Sequence, residues 1–174
     1  MAYTYSKIAT YTVGSGGVAS IDFINIPQTY TDLLVKLSAR TTGSLSNSES
    51  IYMRFNGVTS SSYSYRFLQG SGSAASSGNS STTFLYVGEG NQSPSTASAF
   101  SNGEIVIPNY ANSSNNKSVS VDNVQEDNQT LAYVTLIAGL FSNTSAITSI
   151  KLYPTISNFA QYSTAHLYGI KAEL

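Results

Sequence analysis

The side chains best suited to catalysis are few and scattered. His166 is the only histidine, so one chain cannot form a metal site with several histidine ligands. We interpret His166 as a packing or hydrogen-bonding residue of a strand, or alternatively as a pH-sensitive contact, because histidine titrates near neutrality. Cysteine is absent, which excludes disulfides and thiolate metal ligands.

The nine acidic residues do not indicate a hydrolytic site. A glycosidase needs two carboxyl groups that face each other across a cleft, and no spacing in this sequence nominates such a pair. Residues 122–128 (Asp-Asn-Val-Gln-Glu-Asp-Asn) offer hard oxygen ligands for Ca²⁺, but they lack the spacing of an EF-hand loop. We therefore interpret this segment as a solvated turn, and we predict no catalytic residue, no metal ion and no cofactor.

Tyrosine and arginine are concentrated on two consecutive predicted strands, at positions that we expect to face outward. These candidate interface residues are Tyr52, Arg54, Tyr63, Tyr65 and Arg66. Tyrosine and arginine are enriched at interface hot spots, where flat amphipathic side chains bury a large area at a small entropic cost. Three interpretations stay open: ordinary cross-strand pairs, a subunit interface, or a platform that stacks against sugars. The absence of tryptophan mildly disfavours the sugar platform.

The composition excludes several classes of partner. Charged residues make up 10% of the chain and the net charge is −1, whereas ordinary domains are about 25% charged. The sequence therefore offers no basic face for nucleic acid, whose binding depends on Lys and Arg against phosphates. No apolar run approaches the roughly 20 residues that a membrane helix needs. The N-terminal residues lack the layout of a signal peptide, so we expect folding in a cytoplasm.

Hydrophobic residues alternate with polar ones in short runs along the whole chain. Residues 32–40, 49–56 and 148–153 are clear cases, and side chains of a strand alternate between its two faces. The pattern predicts about ten to eleven short antiparallel strands and no amphipathic helix. Such spacing is typical of a β-sandwich or barrel. We favour a two-sheet jelly roll that forms one domain over residues 1–174.

Turn signals predict two hairpins. Residues 8–13 and 18–26 flank a glycine cluster and are expected to pair with each other. Asn56 and Gly57 both tolerate the positive φ of a type I′ turn, so residues 61–68 should return antiparallel to the preceding strand.

Two segments have unusual composition. Residues 69–81 are rich in Gly, Ser and Ala, and we expect a flexible surface loop, or alternatively an arm that orders against a neighbour. Residues 131–140 are nearly apolar on both faces, which predicts a central strand covered on both sides.

A family resemblance arises from the C-terminal segment 144–174, TSAITSIKLYPTISNFAQYSTAHLYGIKAEL, together with three upstream segments. These are LSARTTG at 37–43, IVIPNYAN at 105–112 and VTLIAGL at 134–140. Together they resemble a group of small structural proteins of tailed bacteriophages, especially phages of cyanobacteria and other aquatic bacteria. Such proteins are described as head-decoration or tail-fibre proteins.

The resemblance covers most of the chain, but its motifs are patterns of strands and turns and not catalytic signatures. It implies a β-rich, non-enzymatic virion protein that decorates or cements the capsid. It also implies a homo-oligomer, with a trimer favoured, bound to the major capsid protein or other virion proteins. The alternative is a tail-fibre or receptor-binding module for a bacterial surface glycan. A polysaccharide hydrolase is a third hypothesis, which the lack of a carboxylate pair disfavours.

Overall fold

The chain forms twelve β-strands in two sheets. The computed structural model describes residues 3–46, 48–128 and 132–172, and it contains no helix within them. The strands are β1 (Tyr3–Thr12), β2 (Ile21–Phe23), β3 (Asp32–Ala39), β4 (Ser48–Phe55), β5 (Tyr63–Gly70), β6 (Ala75–Thr82), β7 (Leu85–Asn91), β8 (Ser101–Ile107), β9 (Lys117–Gln125), β10 (Tyr133–Phe141), β11 (Ile150–Pro154) and β12 (Thr164–Ala172). The predicted all-β sandwich is confirmed, with twelve strands in place of the ten or eleven expected.

The strand order is that of an extended jelly roll. The large sheet has the order β1-β12-β3-β8-β9-β10-β5-β6, and the small sheet has the order β2-β11-β4-β7. Without β5, β6, β9 and β10, the remaining strands form two facing four-stranded sheets and alternate between them, except that β4 and β7 follow each other within the small sheet, as in an eight-stranded jelly roll. We call these remaining strands the jelly-roll body. The other four, which we call the added strands, are two hairpins inserted after β4 and after β8.

The hydrophobic core of the jelly-roll body lies between the two sheets. The predicted alternation of β4 directs Ile51, Met53 and Phe55 inward, where all three are fully buried. Val35 of β3 and Leu167 of β12 meet this layer from the large sheet and are equally buried. Burial of each such side chain stabilises the fold by roughly 1.5–3 kcal/mol.

Strand β7 connects the small sheet to the added strands. Its outer edge faces β9, and there the side-chain amide of Asn123 replaces a neighbouring strand. The Asn123 Oδ1 accepts a hydrogen bond from the Glu89 N–H at 2.8 Å, and its Nδ2 donates to the Glu89 carbonyl at 3.2 Å. The close approach requires glycine at position 88, whose φ is 108° and whose Cβ would lie 2.2 Å from the Asn123 Cγ.

Both predicted hairpins are wrong. Strand β1 pairs with β12 and β2 pairs with β11, so residues 8–13 and 18–26 lie in different sheets. Asn56 and Gly57 do have positive φ values, 53° and 66°, but their turn also leads from the small sheet to the large one. After β4 the chain crosses from the small sheet to the large one, so the tight turn at Asn56 and Gly57 is a crossing between layers.

The Gly- and Ser-rich segment 69–81 is not a flexible loop. Only residues 71–74 form a turn, and β6 pairs with β5 from Ala75 to Thr82 without a register shift. The ring of Phe67 lies against Gly78, where a Cβ would be 2.7 Å from the ring. The backbone ladder and this aromatic contact order a strand whose own side chains are small.

The segment 131–140 forms an interior strand, but it is not covered on both sides. Strand β10 begins at Tyr133 and lies between β9 and β5, while Leu131 falls outside the described residues. Ile137 is buried, whereas Val134 and Leu136 on the opposite face are 52% and 54% exposed. The small sheet covers only one face of this strand, and the described residues place no second layer on the other.

Candidate interaction surface

The outer face of the large sheet is the face turned away from the small sheet. Strand register arranges its side chains in rows that cross all eight strands. One row is Thr10, His166, Lys36, Glu104, Asp122, Leu136, Leu68 and Ser77. The next is Thr12, Thr164, Ser38, Asn102, Val124, Val134, Gly70 and Ala75. In both rows the body contributes polar or charged residues. The added strands contribute two apolar residues, Leu136 and Leu68, to the first row, and only apolar residues and glycine to the second.

The charged half of the outer face lies on the jelly-roll body. Lys36 and Glu104 form an ion pair at 2.7 Å, with both side chains about half exposed. The hydrogen bond to Glu104 and the charge of that carboxylate raise the pKa of Lys36 above its ordinary value. His166 lies beside Lys36 on β12, and its Nδ1 is 3.0 Å from the Thr10 hydroxyl. These four side chains of the charged half are thus paired with one another across neighbouring strands.

The apolar half of the outer face lies on the added strands. Two cross-strand pairs, Val124 with Val134 and Leu136 with Leu68, occupy neighbouring positions on β9, β10 and β5. We call these four residues the apolar strip. They are between 39% and 56% exposed. Contiguous exposed apolar side chains often mark a surface that contacts a partner.

The opposite face of the same strands is well packed. Val121 of β9 and Ile137 of β10 are buried against the sandwich interior, and the aromatic residues of β5 pack over β7. The added strands are thus fixed from one side by the small sheet. This arrangement holds the apolar strip on a rigid sheet and not on a loop.

Tyr63 and Tyr65 do not face outward as predicted. Tyr63 is 2% exposed, its hydroxyl accepts a hydrogen bond from the Phe55 N–H at 3.0 Å, and burial raises its pKa. The half-buried Tyr65 packs on Tyr86 with ring centroids 5.6 Å apart. The alternation of β5 was predicted correctly, but its aromatic face covers β7 because the chain has crossed to the large sheet.

Tyr52 and Arg54 lie on the outer face of the small sheet. Tyr52 is half-buried and stacks on Phe84 with centroids 3.8 Å apart. The Arg54 Nε donates to the Thr83 carbonyl at 2.9 Å, and its guanidinium lies 5.1 Å from the centre of the Tyr153 ring. Thr83 and Phe84 lie between β6 and β7, and Tyr153 lies on the neighbouring β11, so these contacts are made within the chain. The interface role of Tyr52 and Arg54 remains a prediction.

Arg66 is the one member of the predicted set that adjoins the apolar strip. It lies exposed on β5 between Ala138 and Asn79 in the register of the outer face. The five predicted residues are therefore divided among the outer face of the large sheet, the outer face of the small sheet and the sandwich interior.

No protein-family model matches this chain, and a search of curated proteins finds no match. The chemistry of its own surfaces is therefore the basis for a functional proposal.

Two buried carboxylates deserve comparison with a catalytic pair, since Glu49 and Glu89 lie on adjacent strands. Glu49 accepts hydrogen bonds from the Ile156 and Ser157 N–H groups at 2.6 and 2.9 Å. Burial would raise the pKa of Glu49, but these bonds and the Ser157 hydroxyl outweigh it and hold the pKa below its ordinary value. Glu49 thus fastens residues 155–157 to β4.

Glu89 has a different environment. Burial raises its pKa, and hydrogen bonds from the Ser50 and Tyr86 hydroxyls at 2.8 and 2.9 Å partly offset that effect. Both carboxylates are thus engaged in contacts within the fold.

In residues 3–46, 48–128 and 132–172, no group of three or more His, Cys, Asp or Glu side chains could hold a metal ion. The same part of the chain contains no helix that is long and apolar enough to cross a membrane.

The sequence patterns missed the apolar strip, although one signal pointed to it. The outward positions of β9 carry Ser118, Ser120 and Asp122, which indicate a solvent-facing sheet. Since β10 pairs with β9, its own outward residues Val134 and Leu136 had to share that solvent-facing side. The neighbour of β10 was not predicted, so its two apolar faces were interpreted as two covered faces.

Proposed function

We propose that this chain is a non-enzymatic structural protein of a tailed-phage particle, and that it decorates or cements the capsid shell. The apolar strip carries the contact role, because it is an exposed apolar surface on a rigid sheet. The virion setting is supported by the resemblance of the C-terminal segment and three upstream segments to phage structural proteins.

The chemistry of the surface fits a protein that is covered on assembly. Only 10% of the residues are charged. Long charged side chains lose up to about 2 kcal/mol of rotamer freedom when they are ordered, so a surface with few of them loses less on contact. A protein that binds only the assembled shell stabilises that shell relative to its free subunits.

We further propose that the chain acts as a closed homo-oligomer, a trimer being favoured by the resemblance. Its partners on the particle are the major capsid protein or other virion proteins. We assign the contact with these particle proteins to the apolar strip.

Immunogold labelling of purified particles tests the location. Antibody raised against the recombinant chain should label the head. Label at the tail end alone would contradict a decoration role, and unlabelled particles with an accessible antigen would contradict the virion proposal altogether.

Binding to heads that lack the protein tests the surface. The substitution Leu136→Lys should weaken binding at least tenfold, because it places a charge in the apolar strip. Ser113→Lys adds the same charge in the exposed turn that precedes β9, at the end of that strand opposite to Val124, and should leave binding unchanged. Equal binding by both variants would remove the apolar strip from the proposal.

A second candidate function is a tail-fibre or receptor-binding module for a bacterial surface glycan. One observation favours it: a shallow concavity of about 320 Å³ on the charged half of the outer face. It is lined by Tyr5, Leu34, Lys36, Glu104 and Tyr168. Tyrosine rings and a charged pair suit a sugar, which has both apolar faces and hydroxyl groups. Binding of the chain to host cells that Tyr5→Ala abolishes would favour this candidate over decoration.

A further inference from the structure

The four free edges of the two sheets are protected to very different degrees. A free edge presents unpaired backbone N–H and C=O groups, and natural proteins protect it with lysine, a β-bulge, a short strand or a covering group. The edges of this fold are β1 and β6 in the large sheet, and β2 and β7 in the small sheet.

Three of these edges carry a recognisable protection. Strand β1 contains Lys7 and a register shift between Lys7 and Ala9. Strand β2 is only three residues long. Strand β7 has a register shift opposite β4, and the Asn123 amide bonds the Glu89 backbone on its outer side.

Strand β6 carries none of these protections. Its eight residues, ASSGNSST, include no lysine, no other charge and no proline. All eight residues pair with β5 without a register shift, so no bulge interrupts the edge. Among the described residues no strand pairs with its outer side.

We infer that the outer edge of β6 pairs with β6 of a second copy of this chain, antiparallel and across a two-fold axis. An open edge accepts an extended strand, and the copy itself offers only one long unprotected strand for that purpose. Self-pairing brings no like charges together, because β6 has no charged residue. The contact would join two large sheets into one continuous sheet.

The pairing also explains the composition of β6. Small side chains let a second backbone lie close, and residues of an antiparallel self-pair face each other around a central residue. With Gly78 at the centre, Ser77 of one copy faces Asn79 of the other. With Asn79 at the centre, the same two positions are diagonal neighbours, which still interact.

The inference goes beyond the proposed role on the particle, since it involves only two copies of this chain. The two-fold contact differs from the contacts that would close a trimer. If the two-fold contact and the trimer contacts both exist, β6 links neighbouring oligomers. The two-fold contact can be tested on the purified chain, so its test and the labelling of particles can fail independently.

Charge substitutions on β6 test the contact by sedimentation at several protein concentrations. Ser77→Lys and Asn79→Asp are both made on the solvent-facing side of the strand, where residues 77 and 79 are exposed. Each variant alone should show a mass up to twofold lower than the unmodified chain at the same concentration. With Gly78 at the centre, residue 77 of one copy is a diagonal neighbour of residue 77 of the other, and residue 79 is likewise a diagonal neighbour of residue 79, so the same charge on both copies repels. An equal mixture of the two variants should regain the higher mass, because Lys then meets Asp.

Two controls make the outcome decisive. Ser113→Lys adds a charge in an exposed turn and should leave the mass unchanged. Recovery of mass in the mixture shows that each variant is folded, so loss of association cannot be assigned to unfolding. If the unmodified chain does not associate, or if both β6 variants associate like the unmodified chain, the inference is wrong.

Discussion

The jelly-roll body and the added strands use the same kind of strand for different purposes. In the body, β4 and β11 bury alternate residues such as Met53 and Leu152 against the facing sheet. In the added strands, only one face of the large sheet is covered, and the other face shows Leu68 and Leu136 to solvent. Both regions thus bury one face in the core, and they differ in the apolar side chains that the added strands show on the outer face.

Charged side chains hold loops in place in the jelly-roll body. Arg40, at the end of β3, donates hydrogen bonds to the carbonyls of Ser93, Ser95, Thr96 and Ala99 at 2.9 to 3.1 Å, and thereby holds the loop before β8. Glu49 holds residues 155–157 in a comparable way. Arg66 of the added strands is exposed on the outer face. The added strands also use a buried charge in this way, since Lys117 of β9 donates hydrogen bonds to the Asn115 and Thr144 carbonyls at 2.6 and 3.0 Å.

Substitution of Gly88 by Ala should produce the largest effect, because it breaks the junction between the two regions. A Cβ at this position would lie 2.2 Å from the Asn123 Cγ, and φ is positive. We expect the free energy of unfolding to fall by about 3 kcal/mol or more, as measured by urea denaturation. Gly57→Ala is the matched control, since φ is 66° but no atom lies within 4 Å. Gly57→Ala should lower the free energy of unfolding by only about 1–2 kcal/mol. Equal losses in the two variants would contradict the close contact between Gly88 and Asn123.

Truncation on the two faces of β10 compares a covered face with an exposed one on a single strand. Ile137→Ala should lower the free energy of unfolding by about 2–4 kcal/mol, because the side chain is buried. Leu136→Ala should cost less than about 1 kcal/mol, because more than half of that side chain already faces solvent. Thermal unfolding of both variants measures the difference. A loss at Leu136 as large as that at Ile137 would mean that the outer face is packed after all.

Glu49→Gln tests the anchoring of the jelly-roll body through pH. The folded-state pKa of Glu49 lies below its unfolded value, so its stabilisation is present above the unfolded pKa, about 4.3, and is lost as pH falls through the folded pKa. The variant should be less stable than the unmodified chain by about 1–3 kcal/mol at neutral pH, with the gap closing in acid. Urea denaturation across pH measures it. A difference in stability between the two proteins that does not change with pH would show that the carboxylate charge of Glu49 is not its cause.

Removal of the Lys36–Glu104 ion pair should produce the smallest effect. Both side chains are about half exposed, and solvent and salt screen such a pair, so a double-mutant cycle should give a coupling of about 0.5 kcal/mol or less. A larger coupling that persists in high salt would show that the charged half of the outer face also stabilises the sheet.

The sequence predicted the elements well because alternation is a local signal. The inward residues of β4 and the aromatic stripe of β5 follow directly from period-2 patterning. The sheet to which each strand belongs is not local. Asn56 and Gly57 specify positive φ, but whether the following strand returns or crosses to the facing sheet depends on core contacts from distant parts of the chain.

The candidate surface was harder to predict for the same reason. Apolar residues on both faces of β10 have the same pattern whether the second face is covered or exposed, and only the sheet order distinguishes the cases. The composition of β6 indicated a loop, since Ser and Gly have low strand propensity. Its order comes from the ladder with β5 and the Phe67 ring against Gly78, which are contacts with a neighbouring strand.

Amide hydrogen exchange of the unmodified chain, compared at low and high protein concentration, tests the division of roles most directly. If the added strands carry the contact between copies, exchange at high concentration should slow in β6, while β11, β12 and β1 should exchange at the same rate. Slower exchange in β1, or no concentration dependence anywhere, would contradict the assignment of contact to the added strands.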